Sequence, residues 1–214
     1  MRFRAASQAA VLAAFLAAPA FAGPNDILVG LDEKVSFEAQ GQVYRSAGEK
    51  DAVLVMDVSN PAQPRISASL ALVNSIAGPP TNLQITPDGK LGLVGNSLVV
   101  NPSASPLAPA PDDKIYVLDL SGPPRLADTV TVGKQPSGLA ISRKGDLVLV
   151  ANRAGKSVSV LTIEGGRVTH RGEVPVGDEV SAVAIAPDGK RGFVVKNTVH
   201  KVGVLAIDGA TVTY

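Results

Sequence analysis

Three phrases of one form recur along this chain: Leu83-Gln-Ile-Thr-Pro-Asp-Gly-Lys90, Leu139-Ala-Ile-Ser-Arg-Lys-Gly-Asp146 and Val183-Ala-Ile-Ala-Pro-Asp-Gly-Lys190. Each is a short alternating run that ends in a turn with glycine at a fixed offset. Proline presets φ for the first turn position, Asp bonds its own backbone, and Gly supplies a positive φ without strain. A repeat of this kind constrains the fold more than any composition value. Each unit must bury a face that it cannot bury alone, so neighbours must stack.

More elements follow each turn in phase. Leu91–Val94, Leu147–Val150 and Phe193–Val195 read as buried second strands, the first two ending at Asn96 and Asn152. Third strands recur as Tyr116–Leu120, Ser159–Ile163 and Gly203–Ile207, and fourth strands as Leu126–Val132, Val168–Val176 and Ala210–Tyr214. Gly145 to Gly189 is 44 residues, whereas Gly89 to Gly145 is 56. Four strands in about 44 residues is the blade period of a β-propeller. A generic β-sandwich is the alternative, but sandwiches do not usually repeat one four-strand phrase in register. The expected fold is therefore all-β, with about four blades in this chain.

Residues before Thr81 fit the scheme loosely. Ile27–Leu31 reads as a second strand, Val53–Val58 as a third and Ile66–Leu72 as a fourth, with no first strand ahead of Ile27. The expected layout is a partial blade over about 24–76, then blades over about 77–132, 133–177 and 178–214.

The N-terminus bears on compartment. Arg2 and Arg4 precede an apolar run, Ala9–Ala18, and Ala20-Phe21-Ala22 precedes Gly23, the pattern of a cleaved signal peptide over residues 1–22. Pro19 and the shortness of the run argue against a spanning helix, which needs about 20 apolar residues. The expectation is a periplasmic or secreted protein with no membrane span after cleavage. Without Arg2 and Arg4, 18 basic residues face 19 acidic ones, so no clustered positive charge is available for nucleic acid. The chain has no cysteine, which excludes disulfides, thiolate metal sites and Cys nucleophiles. Eight aromatics and no Trp leave the core to Val, Leu, Ile and Ala.

At Val132-Gly-Lys-Gln-Pro-Ser-Gly-Leu-Ala-Ile141, Leu149-Val-Ala-Asn152, Ser157-Val-Ser-Val160 and Pro187-Asp-Gly-Lys190 the chain resembles the bacterial YVTN-repeat propellers, which overlap with the seven-bladed lactonase-like family. Three departures stand out. Asn197 falls one residue late, Arg143-Lys144 replaces Pro-Asp, and the first blade is degenerate. The resemblance implies about seven blades, so this sequence reads as an N-terminal portion of a larger ring, with a self-contained four-bladed ring as the alternative. Propeller lactonases that bind metal gather carboxylates and Asn around the central opening. Of the matching positions here (Thr81-Asn82, Ser137-Gly138, Ser181-Ala182), only Asn82 is a candidate.

Second-to-third-strand loops and fourth-to-first connections share one face of a propeller. Two of those loops are long. Asp32–Asp51 carries Phe37, Tyr44 and Arg45, and Ser97–Asp113 is a Pro/Ala/Ser insertion whose composition favours unstructured decoration. Aromatic and Arg side chains supply much of the energy of measured interfaces, so Phe37, Tyr44 and Arg45 are the candidate contact residues. His170 and His200 have no partner at metal spacing, and no Ser/His/Asp grouping or phosphate loop occurs. No cofactor or metal site is expected, and catalytic residues are not identifiable. The function expected is a binding scaffold for a protein or small ligand. The alternative is a lactonase-like hydrolase or redox-enzyme subunit with active residues partly outside the chain.

Overall fold

The computed structural model describes residues 23, 25–74 and 82–214. The proposed signal peptide lies outside the described residues. Among the described residues all regular structure is β-strand, and no helix is long and apolar enough to cross a membrane.

Blade one joins β1 (Asp26–Leu31), β4 (Ala52–Asp57) and β5 (Arg65–Ala71), with the hairpin β2 (Val35–Glu38) and β3 (Gly41–Tyr44) inserted between β1 and β4 as its own two-stranded sheet. Blade two runs β6 (Leu83–Ile85), β7 (Leu91–Val100), β8 (Pro109–Asp119) and β9 (Arg125–Thr131). Blade three runs β10 (Pro136–Ile141), β11 (Leu147–Asn152), β12 (Ser157–Glu164) and β13 (Arg167–Pro175). Blade four runs β14 (Val180–Ile185), β15 (Arg191–Lys196), β16 (Lys201–Asp208) and β17 (Thr211–Thr213). Each of these last three sheets is an antiparallel meander in sequence order, which is the propeller blade that the repeat predicts.

The recurring turns superimpose in their bonding. Gly89, Gly145 and Gly189 donate to the carbonyls of Thr86, Ser142 and Ala186 at 2.9 Å, with φ of 73°, 78° and 71°. Positive φ at the same step of three turns is why glycine recurs there. Thr86 and Ser142 add a side-chain bond, because their hydroxyls accept from the backbone of Leu91 and Leu147 at 3.0 and 3.2 Å. Ala186 has no hydroxyl to do this.

Three apolar layers hold the blades face to face. Leu28, Val53 and Val55 meet Val94, Leu118 and Leu120 between blades one and two. Leu93, Ile115 and Val117 meet Val148, Val150 and Leu161 between two and three. Leu149, Val158 and Val160 meet Val194, Leu205 and Ile207 between three and four. These cores contain aliphatic side chains almost alone, as a sequence with no Trp requires.

One expectation is corrected. The flanks of the Pro/Ala/Ser stretch after Asn96 are regular structure, because β7 continues to Val100 and β8 begins at Pro109, leaving residues 101–108 as the irregular tip of the hairpin. The pairs Leu98↔Pro111, Val99↔Ala110 and Val100↔Pro109 carry the ladder past a bulge between Asn96 and Leu98. A proline contributes no N–H to a ladder, but these prolines sit in a two-stranded extension where one side of each strand needs no partner. Composition misled here because it averages over positions.

Candidate functional site

The hairpins β2–β3 and β7–β8 both leave the molecule from second-to-third-strand positions, so both rise from the same face. Blade one anchors its hairpin with a buried charge. Lys34, 1% exposed, places its Nζ 2.9 Å from Asp32 Oδ1, and it also binds Asp51 Oδ2 and the Asn74 carbonyl. Asp51 in turn accepts from the backbone N–H of Glu33 at 3.1 Å and of Asn74 at 3.2 Å. The Asn74 side chain donates to the carbonyls of Leu31, Leu72 and Ala52 at 3.0, 3.0 and 3.2 Å. These bonds tie the root of the hairpin to β1, β4 and the end of β5. A buried ammonium is tolerated only when paired and hydrogen-bonded, and this one is.

The hairpin register sorts the candidate residues. Val35↔Tyr44 and Phe37↔Gln42 put Phe37 and Tyr44 on one side of the ribbon. Phe37 is 80% exposed, whereas Tyr44 is half-buried, and burial together with the Asp32 carboxylate pushes its hydroxyl pKa up. Arg45 bonds Ser36 Oγ at 3.2 Å and pairs with Glu38, residues of the other side. The structure therefore brings Phe37 and Tyr44 together and turns Arg45 away from them. Asn82 is buried at the start of β6, donating to the Gly95 carbonyl at 2.8 Å and accepting from the Gly95 N–H at 2.6 Å.

The root of the second hairpin is polar as well. Asn96 donates to Asp112 Oδ2 at 2.7 Å, and Lys114 binds Asp112 Oδ1 at 2.6 Å. Burial raises the Asp112 pKa, but the bonds from Lys114 and Asn96 more than offset it and hold the carboxyl below its ordinary value. Lys134 reaches Asp113 at 2.5 Å from the connection between blades two and three. In blade three Asn152 donates to Ser157 and Ser159 at 3.0 and 2.9 Å, the loop-closing role that its position suggests. His170 Nε2 lies 3.0 Å from the carbonyl of Gly172, and His200 sits at positive φ in a turn. Among the described residues no group of three His, Asp or Glu side chains could hold a metal ion.

Sequence reasoning missed Lys34, Asp51 and Asn74. They lie 17 and 40 residues apart and belong to no spacing rule. The opposite face carries shallow clefts between successive blades. One lies between Ser142, Lys144, Glu164 and Pro187, and an equivalent lies between Pro87, Lys90, Lys144 and Gly166. They recur with the repeat, and the first is lined by the charged side chains of Arg143, Lys144, Asp146, Glu164 and Asp188.

The meandering four-stranded blades define the chain as a β-propeller protein. A family profile described as "Lactonase, 7-bladed beta-propeller" matches residues 120–213, which is less than half of the chain. Among solved structures, the chain is similar to the hydrazine synthase of Kuenenia stuttgartiensis, 16% identical with a TM-score of 0.60 over 86% of this chain and 56% of that one. It is similar to the periplasmic gluconolactonase of Pseudomonas aeruginosa, 18% identical with a TM-score of 0.54 over 84% and 54%. It is also similar to the β-propeller domain of Cps50 from Myceliophteria thermophila, 11% identical with a TM-score of 0.54 over 84% and 54%. At these identities the likeness concerns the fold, and the chain spans about half the length of the three structures. No curated protein matches the sequence.

Proposed function

We propose that the protein is an exported recognition propeller whose working surface is the face carrying β2–β3 and β7–β8. The observation that carries this reading is the combination found in blade one. A fully buried Lys34–Asp51 pair holds a hairpin that presents an 80% exposed phenylalanine. Burying that charge is costly, and Phe37 gains nothing for the core where it sits. A rigid scaffold presenting an exposed aromatic is how binding loops are built. The partner is a protein or small ligand met outside the cytoplasm.

Photo-crosslinking in the exporting host tests this. A crosslinking residue at position 37 should trap one discrete partner, and the same residue at Ala62, in a loop of the opposite face, should trap none. Equal trapping at both positions would reject the surface. The profile match over residues 120–213 favours a second reading, lactone hydrolysis. Glucono-1,5-lactone consumed by the full chain faster than it hydrolyses unaided would move the assignment to that reading.

A further inference from the structure

The side chains at the root of the β2–β3 hairpin form a closer arrangement than an ion pair requires. The Lys34 side chain is 1% exposed, and those of Asp51 and Asp32 are 0% and 4% exposed. Nζ of Lys34 binds Asp51 Oδ2, stands 2.9 Å from Asp32 Oδ1 and donates to the Asn74 carbonyl. An amine and two carboxyl groups are thus held in contact with water shut out. Gly48 completes the seal, with its backbone at φ 105° against the pair. A Cβ added there would stand 2.9 Å from Asp51 Oδ2 and 3.3 Å from Lys34 Cδ.

Each group is placed for condensation. A lysine amine is a nucleophile once it gives up a proton, and Asp51 Oδ2 is in contact to take it. Backbone donors polarise both oxygens of the Asp51 carboxyl: Glu33 N–H binds Oδ1 at 3.1 Å and Asn74 N–H binds Oδ2 at 3.2 Å. Fixed donors of this kind stabilise the oxyanion of a tetrahedral adduct. Reactants held in one geometry also escape the entropy cost of meeting. An amide between Lys34 and Asp51 needs no new contacts and buries no charge on either residue. The one proton left on its nitrogen has the Asn74 carbonyl as acceptor, and its oxygen keeps the Glu33 N–H. Asp32 keeps the Lys34 backbone N–H at 2.9 Å.

We propose that Lys34 and Asp51 condense into an intramolecular isopeptide bond, with the ion pair as the reactant state and Asp32 as the proton carrier. One proton passes from the ammonium to Asp51, which gives an amine and a carboxylic acid. Nζ then attacks Cγ, and the Nζ–Cγ bond forms. Asp32 takes a second proton from the nitrogen and returns it to the departing oxygen. The Cγ–O bond breaks and one water leaves. Asp32 ends as it began, and neither oxidant nor reductant is consumed. The bond closes a covalent ring over residues 34–51, so the hairpin is tied at its root whether or not Phe37 meets a partner.

Mass spectrometry of the purified full chain tests this. The parent should be lighter by one water than its sequence, counted from the N-terminus found in the same tryptic digest. Trypsin should fail to cut after Lys34, and the peptide running through Lys34 to Arg45 should be joined to Asp51–Arg65. Lys34→Arg keeps the charge but cannot form the bond, so it should show its full mass. Asp32→Asn should keep most of its water, since proton carriers of this kind are worth about 10²–10⁴ in rate. A parent of full mass that is cut normally after Lys34 would overturn the inference. Loss of water without joined peptides would also overturn it, because that marks a cyclic imide at an aspartate. Complete condensation in Asp32→Asn would remove Asp32 from the reaction. The parent's mass and digest decide the bond itself without any variant having to fold.

Discussion

Blade three and blade one are made from the same kinds of strand, and they are stabilised in different ways. In blade three all six residues of β11 are buried, because blades two and four cover both faces of the sheet. In blade one only Leu28 of the six β1 residues is buried, one face is partly open, and no first strand accompanies β1 among the described residues. Where blade three closes with Val, Leu and small hydroxyls, blade one closes with a buried ammonium between two carboxylates. A strand's place in the array, more than its own pattern, decides how much hydrophobic stabilisation it receives. Blade one adds buried polar bonds at the root of its hairpin, while the apolar side chains of its second face stay partly open.

The largest test of this contrast removes the charge. Lys34→Met leaves Asp51 and Asp32 facing each other in a buried site, and removing one partner of such a pair costs about 3–5 kcal/mol. The loss should appear in denaturant unfolding, with amide exchange accelerated first in residues 32–51. Unchanged exchange there would mean that the hairpin is held by other contacts. Next, Leu149→Ala should cost about 3 kcal/mol, since its side chain is fully buried between two blades, and Val204→Ala on the open face less than about 1 kcal/mol. Similar losses at both positions would erase the distinction between covered and open faces.

The turn glycines sharpen the comparison further. Gly189→Val should cost about 1–3 kcal/mol from positive φ alone, because nothing lies within 4 Å of an added Cβ. Gly145→Val should cost somewhat more, as its Cβ would stand 3.2 Å from Pro87 Cδ of the preceding blade. Equal unfolding midpoints for parent and Gly189→Val would reject the turn assignment. The smallest effect concerns acid. The Asp112 pKa is held below its ordinary value in the folded state, so its contribution is complete above about pH 4. It fades as the pH falls through the lowered value. Asp112→Asn should therefore flatten the acid limb of a stability–pH curve, and an identical limb in mutant and parent would contradict the pairing with Lys114 and Asn96.

What the amino-acid sequence determined by itself is everything that depends on local geometry. The glycine steps at 89, 145 and 189, the alternation of the strands and their order within each blade follow from φ preferences and a period of two, which act within a few residues. The Asn152 loop closure belongs with these, since Ser157 and Ser159 lie five and seven residues away. Tertiary structure alone decided the rest. It placed Lys34 beside Asp51 and Asn74, set Arg45 on the side of the ribbon away from Phe37 and Tyr44, and made an extended hairpin from a Pro/Ala/Ser stretch. It also left Val202 and Val204 open where Val158 and Val160 are covered, although the strands read alike. Burial is a property of what lies opposite, and the identity of the opposite surface is set by packing across many residues, where no spacing rule in one chain reaches.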